Sequence, residues 1–147
     1  MHPSIRMEQQ AHAHMKRQEY AQAAEIFRHL VVLHPDYEHG RPHYDLACCL
    51  EELGKFDEAR TQFLRALEAN PRDLLFCGGL ASFLFSHGSH QEAFDAYVHF
   101  MAVAGAGSAL CQTARPALLA LAKLIDVTEK EAYKRVRVAE ERQQCSR

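Results

Sequence analysis

The stretch GRPHYDLACCLEELGKFDEARTQFLRALEANPRD, residues 40–73, decides the fold of this chain. It holds two apolar-periodic segments parted by Gly54 and closed by Pro71. Leu46, Ala47 and Leu50 in the first, and Phe56, Ala59, Phe63 and Ala66 in the second, are spaced by three and four. That spacing stacks side chains on one face of a helix and does not suit a strand. Pro42 is compatible with a first helical turn, Gly54 stops the first helix, and Pro71 cannot supply the amide hydrogen that would continue the second. The stretch therefore predicts a helical hairpin.

The hairpin has copies on both sides. Tyr20, Ala23, Phe27 and Leu30 recur as Phe56, Ala59, Phe63 and Ala66 at an offset of 36, and then as His90, Ala93, Tyr97 and Phe100 at an offset of 34. Pro35, Pro71 and Gly105 close the three second helices. Leu46, Ala47, Leu50 and Gly54 align with Leu80, Ala81, Leu84 and Gly88, and more weakly with Gln10, Ala11, His14 and Gln18. Ser89 and Glu92 have the spacing of a capping box. Small Ala at 47, 59, 81 and 93 lets paired helices approach, and His90 is expected to pack where the other copies carry an aromatic. Stacking of such units buries what one hairpin cannot. After residues 105–108 the strict pattern stops. Pro116 then opens an apolar run, and a capping pair, Thr128 and Glu131, starts a charged last helix with Ala132, Tyr133, Val136 and Ala139 as its apolar stripe.

This pattern resembles the tetratricopeptide repeat, whose 34-residue unit carries small residues, aromatics and a closing Pro. The likeness runs from about Ser4 to Gly107, with no Trp in the first helices, Gln10 for the usual Leu and Gly105 for Pro. It implies an all-α, right-handed superhelical solenoid of antiparallel helix pairs. The expected organisation is one domain over residues 1–147, with repeats at about 4–37, 40–73 and 74–107 and packing and capping helices at about 109–144.

In that family the first helices line a concave groove that takes an extended or helical segment of another protein. The resemblance thereby implies a groove made by Glu8, His12, Tyr44, Asp45, Cys48, Glu51, Glu52, Leu75, Gly78, Gly79, Ser82, Phe85 and Ser86, polar at one end and apolar at the other. Members that grip a chaperone's terminal carboxylate use Lys, Arg and Asn at such places. Glu8, Tyr44, Asp45 and Ser82 here do not form that clamp. Acid at Asp45, Glu51 and Glu52 beside Gly78, Gly79 and Phe85 suits a partner segment with basic and apolar residues. The plain counter-reading makes Glu51 and Glu52 a solvated helix end, and Gly78 and Gly79 a place for close helix packing. Small family members include secretion chaperones, so the expected function is an adaptor or chaperone-like protein. The alternative is a self-associating subunit, such as a homodimer, using those of Phe83, Phe85, Phe94 and Phe100 that remain exposed.

Composition narrows the rest. With 48% hydrophobic and 24% charged residues the chain is an ordinary globular one, and a net charge of -2 gives no basic footprint for nucleic acid. No apolar run approaches the roughly 18 residues of a membrane span, and the first ten residues lack a leader's apolar core, so a cytoplasmic location is expected. Five cysteines without a CxxC pair read as reduced core residues. Protonating all ten histidines would carry the formal charge from -2 to +8. The pairs His39 and His43, His12 and His14, and His87 and His90 lack a Cys or carboxylate at a recognised metal spacing, so neither metal nor cofactor is expected. With no phosphate loop, nucleophile elbow or HExxH run, no enzymatic activity is expected.

Overall fold

In the computed structural model, which describes residues 2–146, the chain is helical almost throughout. Its helices are α1 (Pro3–Lys16), α2 (Tyr20–Leu33), α3 (Arg41–Glu52), α4 (Phe56–Ala69), α5 (Leu74–His87), α6 (His90–Ala104), α7 (Ala109–Leu124) and α8 (Glu129–Cys145). A short 3-10 turn, Tyr37–Gly40, leads into α3. Among the described residues there is no strand. The helices form two compact units that divide between Pro71 and Arg72.

The first unit contains α1 to α4, as two antiparallel hairpins with α2 packed on α3. Its core is Ala11, Ala23, Phe27, Leu30, Leu46, Ala47, Leu50, Ala59, Phe63 and Ala66, each at most 2% exposed. Burying a Leu or Phe side chain in such a core is worth about 1.5–3 kcal/mol. The alanines at 47 and 59 are wholly buried because any larger residue would push the paired helices apart. Copy one contributes less from α1, where Gln10 and Gln18 are exposed and His14 instead meets Glu19 at 2.6 Å.

The connecting turns obey backbone sterics. Gln18 (φ 61°) and Gly54 (φ 72°), which align in the repeat, both take the left-handed conformation that lets α1 and α3 turn back into α2 and α4. Before α3, Glu38, His39 and Gly40 are left-handed in succession, with φ of 49°, 48° and 96°. This run swings Tyr37 back towards α1, where its hydroxyl donates to Glu8 at 2.9 Å.

The second unit contains α5 to α8. α5 and α6 form a hairpin, and α7 and α8 both pack chiefly on α6 rather than on each other. Its core includes Phe76, Leu80, Phe83, Leu84, Phe94, Met101, Leu118, Leu121 and Val136. The expected caps are present: Ser89 accepts from the Glu92 amide at 3.2 Å and Thr128 from the Glu131 amide at 3.2 Å, each worth about 1 kcal/mol.

The seventh helix starts at Ala109, capped by Ser108, and passes through Pro116 because Pro116 and Gln112 both lie on the exposed side, where water can serve the carbonyl that proline leaves unbonded. One expectation needs correction. His90 is exposed at the start of α6 rather than packed, as Phe56 is 42% exposed at the start of α4. The first position of the second helix lies at the hairpin's tip, so the core does not require an aromatic there.

Candidate functional site

The residues expected to face a partner fall on α1 and α3 of the first unit and on α5 of the second. Glu8 and His12 are one turn apart on α1, so their side chains share a face. Asp45 on α3 reaches the same place. His12 Nε2 lies 3.0 Å from Asp45 Oδ2, and Arg41 Nε donates to the two Asp45 oxygens at 3.2 and 3.1 Å. An ionised carboxylate only accepts, so His12 carries its proton on Nε2 in this contact. Glu8 accepts from Tyr37, and its carboxylate lies with the His12 and Asp45 donor atoms in a group whose members are all within 4.8 Å of one another.

Asp45 is 4% exposed, and a buried acid needs charge-bearing partners. Arg41 supplies the charge and His12 a hydrogen bond, so Asp45 is not the free negative charge the sequence led us to expect. Arg41 four residues before Asp45 is a signal that helix spacing alone could have revealed. Tyr37, supplied by the left-handed turn, could not have been found that way. Burial and the bond to Glu8 push the Tyr37 phenol up to about 12.

Further along α3, Tyr44 is half-buried, its ring meeting Phe63 edge-on at 5.6 Å with the Arg41 guanidinium 5.9 Å from its centroid. Burial, and then the neighbouring Cys48, raise the Tyr44 pKa. Cys48 is itself pushed up to about 12 by burial and by the Asp45 charge, and Cys49 to about 12, chiefly by burial. Burial raises Cys77 to about 11 and raises Cys111 as well. These four thiols are the wrong kind for nucleophilic chemistry at neutral pH. In native protein at pH 8, iodoacetamide should alkylate the exposed Cys145 in minutes and leave the other four at least about a hundredfold slower, a gap that urea abolishes. Peptide mapping by mass spectrometry reads this directly. Glu51 is half-buried and Glu52 exposed at the end of α3.

On α5 the picture is apolar. Phe76, Cys77, Leu80, Ala81, Phe83 and Leu84 are buried, yet Leu75 (45% exposed) and Phe85 (48%) stand outward with the exposed Ser82 between them. Phe85 meets Tyr97 of α6 edge-on at 6.2 Å. A helix apolar on every side belongs in a core or against a partner. Gly78 has a structural reason: a Cβ there would sit 3.2 Å from the Phe100 ring, so it allows close packing of α5 on α6. Gly79 is half-buried and Ser86 exposed. Of the four phenylalanines expected to mediate self-association, Phe83 and Phe94 are buried and Phe100 is half-buried, leaving Phe85.

Two of the three histidine pairs do not act as pairs. His43 is buried with Nδ1 2.7 Å from Gln62 Oε1, while His39 is exposed. His12 turns to Asp45 and His14 to Glu19. Among the described residues no helix is long and apolar enough to cross a membrane.

The repeated hairpins and their buried alanines agree with a sequence comparison in which a tetratricopeptide repeat family model matches residues 8–73 and 44–99. The chain belongs to the tetratricopeptide repeat family. No curated protein sequence matches it. Solved tetratricopeptide-like structures do. PcrH, crystallised with the chaperone binding region of PopD and known from Pseudomonas aeruginosa, is 20% identical, with a TM-score of 0.69 over 80% of this chain and 90% of that one. The Yersinia enterocolitica type III secretion chaperone SycD, in complex with a peptide of the translocator YopD, is 20% identical, with a TM-score of 0.71 over 82% of this chain and 92% of that one. The first tetratricopeptide domain of Spaghetti (RPAP3), bound to an HSP90 peptide, is 14% identical, with a TM-score of 0.70 over 84% of this chain and 93% of that one. At these identities the likeness shows the fold: an all-α solenoid of tetratricopeptide-type helix pairs, as the resemblance implied.

Proposed function

We propose that this protein is an adaptor or chaperone-like module that holds a peptide segment of another protein, with the exposed strip of α5 as its anchor. The observation that carries this reading is that α5 keeps Leu75 and Phe85 in water although its opposite side already fills the core. Leaving two large apolar side chains half-exposed forgoes burial worth about 1–3 kcal/mol in total, which a partner's apolar side chains can recover. The similar folds of PcrH and SycD hold segments of their own partners, and that supports the reading.

The partner segment is apolar with basic residues. Leu75, Ser82 and Phe85 offer its apolar side chains a surface interrupted by little polar bulk. In the first unit, taken by itself, Glu51 and Glu52 give the end of α3 an acidic character that suits basic residues, whereas Asp45 is already paired with Arg41 and His12. The same pairing leaves Arg41 unsuited to gripping a terminal carboxylate.

Selection from a random displayed-peptide library tests this. Peptides rich in Leu, Phe, Lys and Arg should be enriched, and Leu75→Glu or Phe85→Glu should weaken their binding by about tenfold or more while helical circular dichroism is retained. Unchanged affinity in both variants would sink the α5 site. If no peptide is enriched and sedimentation shows a mass that doubles with concentration, the protein works by self-association instead.

A further inference from the structure

From the convergence of Glu8, His12 and Asp45 we infer that the first unit carries a binding site for one first-row divalent cation of the zinc class. Spacing along the chain conceals this set, because His12 is 33 residues from Asp45 and its sequence neighbour His14 is occupied elsewhere. In the fold, one imidazole nitrogen and two carboxylates come within 4.8 Å of one another. Ligand atoms around a tetrahedral zinc with bonds of about 2.0–2.1 Å lie roughly 3.3 Å apart, so side-chain rotation of Glu8 and His12 is enough to close the set. Both are half-buried, each held by one side-chain hydrogen bond, Glu8 from Tyr37 and His12 to Asp45, whereas Asp45 is buried.

The surroundings suit a cation. Tyr37 donates to Glu8 and Arg41 to Asp45, the outer partners that orient ligating carboxylates. Two carboxylates against one guanidinium leave one net negative charge at the site. The ion takes the place of the proton between His12 Nε2 and Asp45 Oδ2, and that proton moves to Nδ1, so the imidazole stays neutral. Arg41, 45% exposed, donates to both Asp45 oxygens and would yield Oδ2 to the ion while keeping Oδ1. An imidazole among the donors favours zinc, copper, iron or nickel over magnesium or calcium, which prefer oxygen alone. The 36% exposed His12 side chain marks the route of entry, and water fills the remaining positions. Bound there, the cation would pin α1 to α3.

The test uses tag-free, EDTA-treated full chain titrated with Co(II), followed by its visible absorption, with Zn(II) as competitor. One Co(II) per chain is expected, displaced by Zn(II). His12→Gln and Glu8→Gln should each weaken binding by about tenfold or more, and Tyr37→Phe by about tenfold. His87→Gln and His90→Gln should bind as wild type. Asp45→Asn risks the fold itself, which is why the half-buried ligands are the ones changed. Absence of Co(II) binding at millimolar metal overturns the site. So does binding that His12→Gln and Glu8→Gln leave unchanged, since the ion would then sit on other histidines.

Discussion

Gly40→Val is expected to destabilise the protein by about 3 kcal/mol or more, the sum of a left-handed backbone forced on a branched residue and a side chain driven into a packed helix. Gly40 has φ of 96° at the entry to α3. A Cβ there would lie 2.8 Å from the Ala69 Cβ, 3.0 Å from the Ala66 carbonyl oxygen and 3.3 Å from the Ala66 Cα. Two of those atoms belong to the α4 backbone and cannot swing aside as a flexible side chain would. Gly54→Val is the matched control. Its φ is 72°, but a Cβ would meet nothing within 4 Å, so only the backbone cost of about 1–2 kcal/mol applies. Urea unfolding should show a lower midpoint for both with little change in slope, and a distinctly larger shift for Gly40→Val. Equal shifts would show that α4 yields to the added side chain.

Phe94→Ala should cost about 3–5 kcal/mol, the range for truncating a buried aromatic whose cavity cannot collapse. Phe94 is fully buried on α6. The Arg135 guanidinium of α8 lies 5.6 Å from its ring centroid, so the loss removes support for the last helix as well as core volume. Hydrogen exchange should therefore quicken across α8 more than across α5. Phe85→Ala removes the same number of atoms from a side chain 48% exposed, and should cost no more than about 1 kcal/mol. If the two variants unfold at the same urea concentration, Phe94 does not have the structural role its burial assigns it.

The contrast between these phenylalanines marks the limit of what the sequence could convey. Both sit in one apolar copy of the hairpin, and both were counted as candidates for a self-association surface. Periodicity places a residue on a helical stripe. In α5 apolar residues fall on most sides, so periodicity alone blurs the core side, Phe76, Leu80 and Phe83, and it took alignment with the other copies to set Leu75 and Phe85 among the outward groove positions. Contact with α6 makes that distinction. In α4, by contrast, Ala59, Phe63 and Ala66 stand among charged residues, and the buried face was legible at once.

The polar network was the least legible part. Glu8, His12 and Asp45 were each picked out as groove positions, but as separate surface groups. Their meeting depends on the packing of α1 against its neighbours, and on the left-handed run at Glu38, His39 and Gly40 that brings Tyr37 over Glu8. Only Gly40 of those three is a residue that favours such a backbone, so no local rule forecasts the run.

The helices, their pairing and the repeat could be read along the chain: Tyr20, Phe56 and His90 begin the second helices, and Ala47, Ala59, Ala81 and Ala93 are fully buried. Those features arise from contacts three and four residues apart and from backbone sterics at Gly and Pro, which a linear chain displays. Helix packing decided that Asp45 is a buried, paired acid rather than a surface charge, that the ring Gly78 makes room for is Phe100, and that Phe83 and Phe94 are core while Phe85 is not. Each of these depends on how far one helix is rotated against another, and helical periodicity leaves that rotation open.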